Sequence, residues 1–366
     1  MKGEREQNYD LLRVISMIAV IMIHVSATWV GLFTKQINQG AGIDSLINPL
    51  TVCIYNSVSR FAVPCFVMLS GAFILDDDRT ADYKWFYKTK LKKICIFTIV
   101  FTILYFSYNV ICSIIEKQNV VLQMISLVKD VAKGEPFYHM WYLFMLIGLY
   151  LMAPVVIRFK DSISYKSFRM TVFVFLILAS ISRWTTGNIR VNWNMGQSFE
   201  YLGYFMTGYV IRRDLKNKNN LKGIILVLFG ILFELSAALI EYKIQIVDGL
   251  SENQLKFNIV TPYCPLIVAA SVLIFTGFTL MSIKSNKHIA KFAGMSLLIY
   301  LFHAGVWDCM NKILHAIKGD EYIISLNNVY WIPVFVIIVL VLSVILAVVY
   351  NKIESLVLKT GSVDRT

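Results

Sequence analysis

Long apolar stretches separated by short polar segments run along nearly the whole chain. A helix that crosses a hydrocarbon core about 30 Å thick needs about 20 predominantly apolar residues. The stretches near this length lie at roughly 10–32, 50–75, 94–116, 138–157, 170–185, 198–211, 223–241, 258–283, 292–311 and 331–350. The pattern predicts an all-α, polytopic transmembrane bundle of about ten helices, folded as a single membrane domain over residues 1–366.

The polar segment at 117–135 differs from the other connections, because its apolar residues recur at helical spacing. An amphipathic helix of this kind is typical of segments that lie in the membrane interface. The segment therefore predicts a surface helix on the outer side of the bundle.

The distribution of Lys and Arg sets the orientation. With the N-terminus in the cytoplasm, 23 of the 35 Lys and Arg residues fall on the cytoplasmic side and 9 on the opposite side. The other three lie within the apolar stretches, at Arg13, Arg60 and Arg183. Positive charge accumulates on the cytoplasmic side of membrane proteins. This bias predicts that both termini are cytoplasmic, and it accounts for the net charge of +12 without nucleic acid as a partner.

Several common types of site have no signature here. The six cysteines form no CxxC pair and lie mostly in apolar stretches, which favours neither a disulfide framework nor a metal site. The chain has no GxxxxGK[ST], GxSxG or HExxH motif. Acidic residues within the spans are few, which argues against a pump driven by a carboxylate proton relay.

The first apolar stretch contains Arg13 and His24. Eleven residues at 100° each amount to 20° beyond three full turns, so the two side chains share one helix face about 16 Å apart. A cation near the cytoplasmic mouth and a titratable ring at mid-membrane would line a pocket. Alternatively, Arg13 reaches the headgroups and His24 bonds a neighbouring helix.

The second stretch places Asn56 and Arg60 one turn apart on a single face. Arg60 lies deep in the span, so it is expected to face the bundle interior, either as a functional group or as the partner of a carboxylate. Glu200 is the candidate partner. The same stretch ends in Ser70 and Gly71, small residues that permit close approach of two backbones.

Two later stretches add polar and aromatic candidates. The fourth begins with the aromatic-rich segment 138–142, in which His139 is either a second base or an interfacial residue. The ninth carries a polar stripe of Ser296, Tyr300 and His303. Such a stripe is expected to face the bundle interior rather than lipid.

Four segments resemble, in order, motifs of the acyltransferase-3 family of membrane acyltransferases. The first is an Arg, ten residues and a His, formed here by Arg13 and His24. The other three are RFAVPCFVMLSG at 60–71, FYHMWYL at 137–143 with Tyr150 and Pro154 behind it, and GMSLLIYLFH at 294–303. The resemblance extends from the first to the ninth stretch. Within the family, the chain resembles the enterobacterial common antigen O-acetyltransferases and the membrane domain of vancomycin-type serine racemases.

The resemblance implies transfer of an acyl group, usually acetyl, from acetyl-CoA to a hydroxyl of a cell-surface glycan or its lipid-linked precursor. It implies a multi-pass protein of the bacterial cytoplasmic membrane with no permanently bound cofactor and no metal. The chain lacks two features of many members, a WSLxVE segment and a C-terminal SGNH hydrolase-like domain. It therefore resembles the single-domain branch, in which the membrane domain itself hands the acyl group to the acceptor.

The resemblance also suggests roles for individual residues. His24 would be a general base on the acceptor hydroxyl or a transient acyl carrier, and Arg60 or Asn56 would stabilise the oxyanion. Arg13 and the loops at 92–93 and 212–213 would hold the phosphates of the donor. The catalytic candidates are thus His24, Arg13, His303 and Arg60, and the substrate-binding candidates are Asn56, Tyr300, His139, Trp141, Ser70 and Glu200. Sequence does not rank His24 against His303, although the motif favours His24.

Two other functions fit the same pattern of polar residues. A transporter of a glycan intermediate would use the polar interior as a passage and would need no acyl-CoA. A partner subunit of a polysaccharide synthase would depend on the whole chain but not on His24.

Overall fold

The computed structural model describes residues 6–38, 47–184, 197–248, 261–318 and 326–363, and these ranges are helical with no strand among them. The predicted all-α fold is therefore confirmed. The fourteen α-helices of the described ranges are α1 (Gln7–Asn38), α2 (Pro49–Ser57), α3 (Ala62–Ile74), α4 (Tyr83–Phe86), α5 (Lys92–Ile115), α6 (Val120–Lys133), α7 (Trp141–Ser162), α8 (Tyr165–Trp184), α9 (Gln197–Asp214), α10 (Asn220–Tyr242), α11 (Pro265–Leu280), α12 (Lys287–Gly294), α13 (Ser296–Lys318) and α14 (Asn328–Val363).

A helix lies at each of the ten predicted spans, but not all of these helices are long and apolar enough to cross a membrane. Six helical segments are long and apolar enough, namely Gln7–Gln36, Pro49–Ile74, Tyr83–Ile115, Trp141–Ser162, Asn220–Val247 and Asn328–Leu356. The pair α12 and α13, bent by 60°, would make a seventh. Helices α8, α9 and α11 fall short of that combination of length and hydropathy. The protein is thus a multi-pass membrane protein, and the count of ten spans is not confirmed.

The chain forms two compact units. The first combines Met1–Ala62, Ile231–Leu255 and Ser282–Thr366, and the second combines Val63–Gly230 and Lys256–Met281. Each unit is built from segments distant in sequence, so neither could be recognised as a contiguous stretch of the chain.

In the first unit, α1 packs against both α12 and α13, and contacts occur in the same order along the two parts of the chain. The Asn286 N–H donates to Gln7 Oε1 at 3.0 Å, and Trp307 Nε1 donates to Thr28 Oγ1 at 3.2 Å. Both pairs are separated by 279 residues in sequence. Because the same offset holds at both ends of the contact, α1 and α13 run parallel.

The starts of α2 and α14 are also joined in the first unit. The Asn48 N–H donates to Asn328 Oδ1 at 2.6 Å, and Asn328 Nδ2 donates back to the Asn48 carbonyl at 3.0 Å. Asn48 also caps α2 by accepting from the Thr51 N–H at 3.1 Å. The side chains of these two asparagines therefore hydrogen-bond backbone groups at a helix start, where groups have no partner within the helix.

In the second unit, α3 and α9 cross at two glycines. A Cβ on Gly71 would lie 1.7 Å from the Phe205 carbonyl oxygen, and one on Gly208 would lie 1.9 Å from the Met68 carbonyl oxygen. No side chain fits at either position, so the backbones are in direct contact. The predicted close approach at Gly71 is confirmed.

The predicted surface helix is present as α6, also in the second unit. Asn119 caps its start by accepting from the Leu122 N–H at 3.1 Å, and Gly134, at φ 83°, ends it in the left-handed region. Its exposed apolar side chains are Val121, Leu122, Met124, Ile125 and Val128. The amphipathic helix is thus confirmed, and its place on the membrane surface stays a prediction.

Candidate functional site

The two histidines singled out in the first and ninth apolar stretches meet in the first unit. The ring centroids of His24 on α1 and His303 on α13 lie 5.1 Å apart. His303 is fully buried, whereas His24 is partly exposed. Both rings were predicted site residues, but their 279-residue separation in sequence gave no sign of this contact.

The hydrogen bond of His303 fixes its tautomer. Its Nδ1 bonds the backbone carbonyl of Tyr300, one turn earlier on α13. A carbonyl oxygen only accepts, so Nδ1 must carry the hydrogen. In the neutral ring, Nε2 is therefore the basic nitrogen.

The remainder of the polar stripe on α13 is buried with His303. Ser296 and Tyr300 are each less than a tenth exposed. One turn beyond the histidine pair, the Trp307–Thr28 bond ties the two helices together. The prediction that this stripe avoids lipid is confirmed, and α13 holds His303 against α1 with little room for rotation.

Asn56 links Arg60 to the helix that carries His24. Asn56 Nδ2 donates to Ser26 Oγ at 3.0 Å and to the Ile23 carbonyl at 3.3 Å. Its Oδ1 accepts from Arg60 Nε at 3.1 Å and also from Arg60 Nη2. Through Asn56, the Arg60 side chain is therefore linked to the part of α1 that carries His24.

This arrangement shows that the amide of Asn56 has protein partners on both its oxygen and its nitrogen. Sequence reasoning missed Ser26, although a hydroxyl two residues after His24 in an apolar stretch was the available signal. The side chain of Asn56 bonds the backbone carbonyl of Ile23 before His24 and the hydroxyl of Ser26 after it, and it therefore fixes α1 at that level.

Arg13 lies on α1 toward its N-terminus and forms an ion pair within the helix. Its Nη1 is 3.1 Å from Asp10 Oδ1, with 27% of the Arg13 side chain and 4% of the Asp10 side chain exposed. Asp10 occupies the first turn, where a carboxylate also favours the helix dipole. The charge of Arg13 is thus partly balanced by Asp10, a residue that the sequence interpretation did not weigh.

The other predicted substrate-binding residues belong to the second unit. His139 is fully buried in a cage of aromatic rings, with centroid distances of 5.3 Å to Tyr105 and 5.7 Å to Phe137. Trp141, two residues later, lies 6.0 Å from Tyr201. His139 is therefore enclosed by protein side chains, and whether it acts as a base or lies at the level of the membrane interface stays a prediction.

Ser70 and Glu200 are placed on α3 and α9 of the second unit. The Ser70 hydroxyl donates to the Phe66 carbonyl one turn earlier at 3.1 Å. Glu200 is half-buried in the first turn of α9. The hydroxyl is engaged by its own helix, and whether either residue contacts substrate stays a prediction.

The basic residues predicted to hold donor phosphates have different environments. Arg212 Nη1 is 2.6 Å from Asp76 Oδ2 and also donates to the Ala72 carbonyl at 3.1 Å. The Arg213 guanidinium stacks over the Tyr165 ring at 4.1 Å. Lys92 and Lys93 are exposed. The two arginines thus pack the last turn of α9 against the end of α3 and the start of α8, while the two lysines remain accessible.

A neighbouring loop is held by a local ion pair. Arg79 Nη2 lies 2.8 Å from Asp77 Oδ2, and this guanidinium lowers the pKa of Asp77. Both side chains are at the surface, so the pair adds little stability. Its effect is to shape the turn that precedes α4.

Among known proteins, no curated protein and no solved structure matches the chain, so the resemblance to two particular branches is not confirmed. The family model described as an acyltransferase domain, that of the acyltransferase-3 family, matches residues 6–348, nearly the full length. The chain therefore belongs to the acyltransferase-3 family of membrane acyltransferases.

Proposed function

We propose that the protein transfers an acetyl group from acetyl-CoA to a hydroxyl of a cell-surface glycan or its lipid-linked precursor, in the bacterial cytoplasmic membrane. The observation that carries the proposal is the pairing of His24 and His303, 5.1 Å apart between membrane-capable helices. Acyl transfer to a hydroxyl needs a base at the reaction centre, and imidazole is the side chain suited to that role near neutral pH.

His24 is the base because it is the more accessible of the two rings. It takes the proton from the acceptor hydroxyl as that oxygen attacks the thioester carbonyl carbon. The resulting tetrahedral oxyanion collapses, the C–S bond breaks, and the CoA thiolate leaves with the proton returned by the imidazolium. His303 presents Nε2 as its basic atom and supports the His24 ring during this exchange.

Arg60 supplies the positive charge that the oxyanion requires. Its Nε and Nη2 groups both donate to Asn56 Oδ1, and Asn56 in turn bonds α1 beside His24. A preorganised donor in a water-poor site stabilises developing negative charge far better than the same group in water. Asn56 acts through Arg60 and α1, so we assign it a positioning role.

The topology that suits this reaction is ten spans with both termini in the cytoplasm. Because α1 and α13 are parallel, α13 must be an odd-numbered span if α1 is the first. The seven strongest spans alone would make α13 the sixth and antiparallel. Adding α8, α9 and α11 makes it the ninth, which agrees with the positive-inside count.

Reporter fusions test this topology. Alkaline phosphatase is active only outside the cytoplasm, so we expect activity when it is fused after Arg190, between α8 and α9. The matched fusion after Lys216, between α9 and α10, is expected to be inactive. If the Arg190 fusion were inactive while both fusion proteins accumulate, α8 and α9 would not cross the membrane and the ten-span proposal would fail.

Binding of the donor tests the proposed reaction directly. With purified protein in nanodiscs, acetyl-CoA at about 100 times its Kd is expected to stabilise the fold by about 2.7 kcal/mol, because it binds only the folded form. We expect Arg13→Ala to weaken this gain in thermal stability, since a cation near the donor phosphates is lost. Arg79→Ala is the matched control and is expected to behave as wild type. No stabilisation of the wild type by saturating acetyl-CoA would count against this donor.

A further inference from the structure

A groove between α8 and α9 in the second unit has no place in the reaction described so far. The two helices run antiparallel and meet at two levels. At one level, the Tyr165 hydroxyl donates to Asp214 Oδ1. At the other, a Cβ on Gly203 would lie 2.9 Å from the Leu176 backbone nitrogen, so the two backbones almost touch. The groove between these levels has a volume of about 760 Å³, which is within the range typical of ligand pockets.

Most of the groove has apolar walls. These walls are formed by Met170, Val172, Phe173 and Leu176 of α8 and by Val210 of α9. Thr207 also lines the groove, but its hydroxyl donates to the Gly203 carbonyl of its own helix at 2.7 Å. Met170 is 62% exposed and Phe173 is 58% exposed, so the groove opens toward the outside of the helix pair. This part of the groove therefore suits a hydrocarbon chain.

The end of the groove near Tyr165 is cationic. Lys166 and Arg169 line it, and both side chains are exposed. Arg169 Nη1 is 3.6 Å from Asp214 Oδ2, and the Arg213 guanidinium lies 4.1 Å from the Tyr165 ring. Three cations thus stand around a single carboxylate, which gives these four described side chains a net charge of +2. This end of the groove therefore attracts anions.

The cations and the apolar wall lie in line along α8. Lys166, Arg169, Phe173 and Leu176 follow one another at spacings of three or four residues, so they share one helix face. The seven residues from Arg169 to Leu176 rise by about 10 Å. One leaflet of the hydrocarbon core is about 15 Å thick, half of the whole core. The apolar part of the groove is therefore long enough for about two thirds of one acyl chain.

We propose that this groove binds an anionic membrane phospholipid, with its phosphate at Lys166 and Arg169 and one acyl chain along Met170 and Phe173. The net positive charge at the groove end selects an anionic headgroup over a zwitterionic one. The apolar walls select a lipid over a water-soluble phosphate compound. The bound lipid fills the space between α8 and α9, and it stabilises this pair of helices in the membrane.

The first test compares two lipids on the wild-type protein. The full chain is purified, freed of lipid in an uncharged detergent, and titrated with phosphatidylglycerol or with phosphatidylcholine of the same acyl chains. Native mass spectrometry then counts the bound lipid. We expect one phosphatidylglycerol to bind about 10-fold more tightly than phosphatidylcholine, because two cations face its phosphate. Equal affinity for the two lipids would overturn the proposal.

A pair of charge variants locates the bound headgroup. Lys166→Gln/Arg169→Gln is expected to weaken binding of phosphatidylglycerol by about 25-fold. This variant is expected to fold, because the ion pair of Arg169 with Asp214 is exposed and adds little stability. Lys88→Gln/Lys222→Gln removes the same charge from exposed positions outside the groove, so its affinity is expected to stay within about twofold of wild type. An equal loss in both variants would indicate general attraction to positive charge and would contradict a site in the groove.

Further measurements identify the occupant. Met170→Ala/Phe173→Ala is expected to weaken binding of phosphatidylglycerol by about 10-fold, because the acyl chain loses apolar contacts. Inorganic phosphate and acetyl-CoA are expected not to displace the lipid. Displacement by phosphate would remove the acyl chain from the site, and displacement by acetyl-CoA would make the groove a donor site. Tighter binding of undecaprenyl phosphate would instead make it a site for a polyprenyl carrier. Each of these three results would overturn the proposal.

The lipid comparison does not depend on any variant or on acyl transfer. It uses the wild-type protein, so it decides the proposal even if a variant does not fold. A protein that prefers phosphatidylglycerol but neither binds acetyl-CoA nor transfers acetyl would refute the proposed reaction alone. A protein that transfers acetyl without preferring phosphatidylglycerol would refute only the lipid site.

Discussion

Replacing His24 by alanine is expected to lower acetyl transfer by about 10²- to 10⁴-fold, the contribution of a general base. The acceptor hydroxyl then has no group to take its proton, and His303 is too deeply buried to replace His24. The effect is measured as acetyl transferred per folded protein, with folding monitored by gel filtration in nanodiscs or detergent.

The matched control is His315→Ala, which removes an exposed histidine further along the helix that carries His303. We expect this variant to transfer acetyl at the wild-type rate. Wild-type activity in folded His24→Ala would remove the base or carrier role from His24. If the cell still exports or assembles its glycan with His24→Ala but not without the whole chain, a transporter or partner-subunit function would account for the protein better.

Replacing Gly71 by alanine is expected to destabilise the protein by about 3 kcal/mol, at the upper end of the cost of overpacking. The new Cβ would lie 1.7 Å from the Phe205 carbonyl oxygen, a backbone atom that moves only if α3 and α9 separate. Small residues let membrane helices pack closely, so separation also removes the contacts around Gly208. The expected result is a much lower yield of folded protein and a lower unfolding temperature.

The control for this change is Gly31→Ala on α1, where a Cβ meets nothing within 4 Å. Alanine is the better helix former, so the control is expected to leave stability unchanged or to raise it by up to about 1 kcal/mol. If Gly71→Ala were as stable as Gly31→Ala, this result would contradict the direct backbone contact between α3 and α9.

The helices and the family were within reach of the sequence. Apolar stretches of about 20 residues predict helices because the backbone must satisfy its own hydrogen bonds in lipid. The four motifs are defined by residue types at fixed spacing and appear in the expected order, so they indicate the family without a structure. The predicted stretches at α8 and α9 are short, so their length leaves the membrane crossing undecided. At α11 the sequence predicts a longer stretch, 258–283, but the helix itself has only 16 residues.

The candidate site was predicted as separate residues and assembled only by the tertiary structure. His24 and His303 lie far apart in sequence, and their helices meet through contacts such as that of Trp307 with Thr28. The same holds for Asn56, whose two bonds to α1 depend on how two helices are turned toward each other. Periodicity shows which face of a helix is polar, but it does not say which other polar face it meets.

Glu234 shows most clearly what the sequence determines and what the tertiary structure determines. By itself, the sequence determined that a glutamate stands in an apolar stretch and that it is one of few acids there. Only the tertiary structure decided that this glutamate is fully buried, because which face of a helix is covered depends on how the helices pack against each other. Local sequence determines what each segment can form, and packing between distant segments determines which of its groups meet.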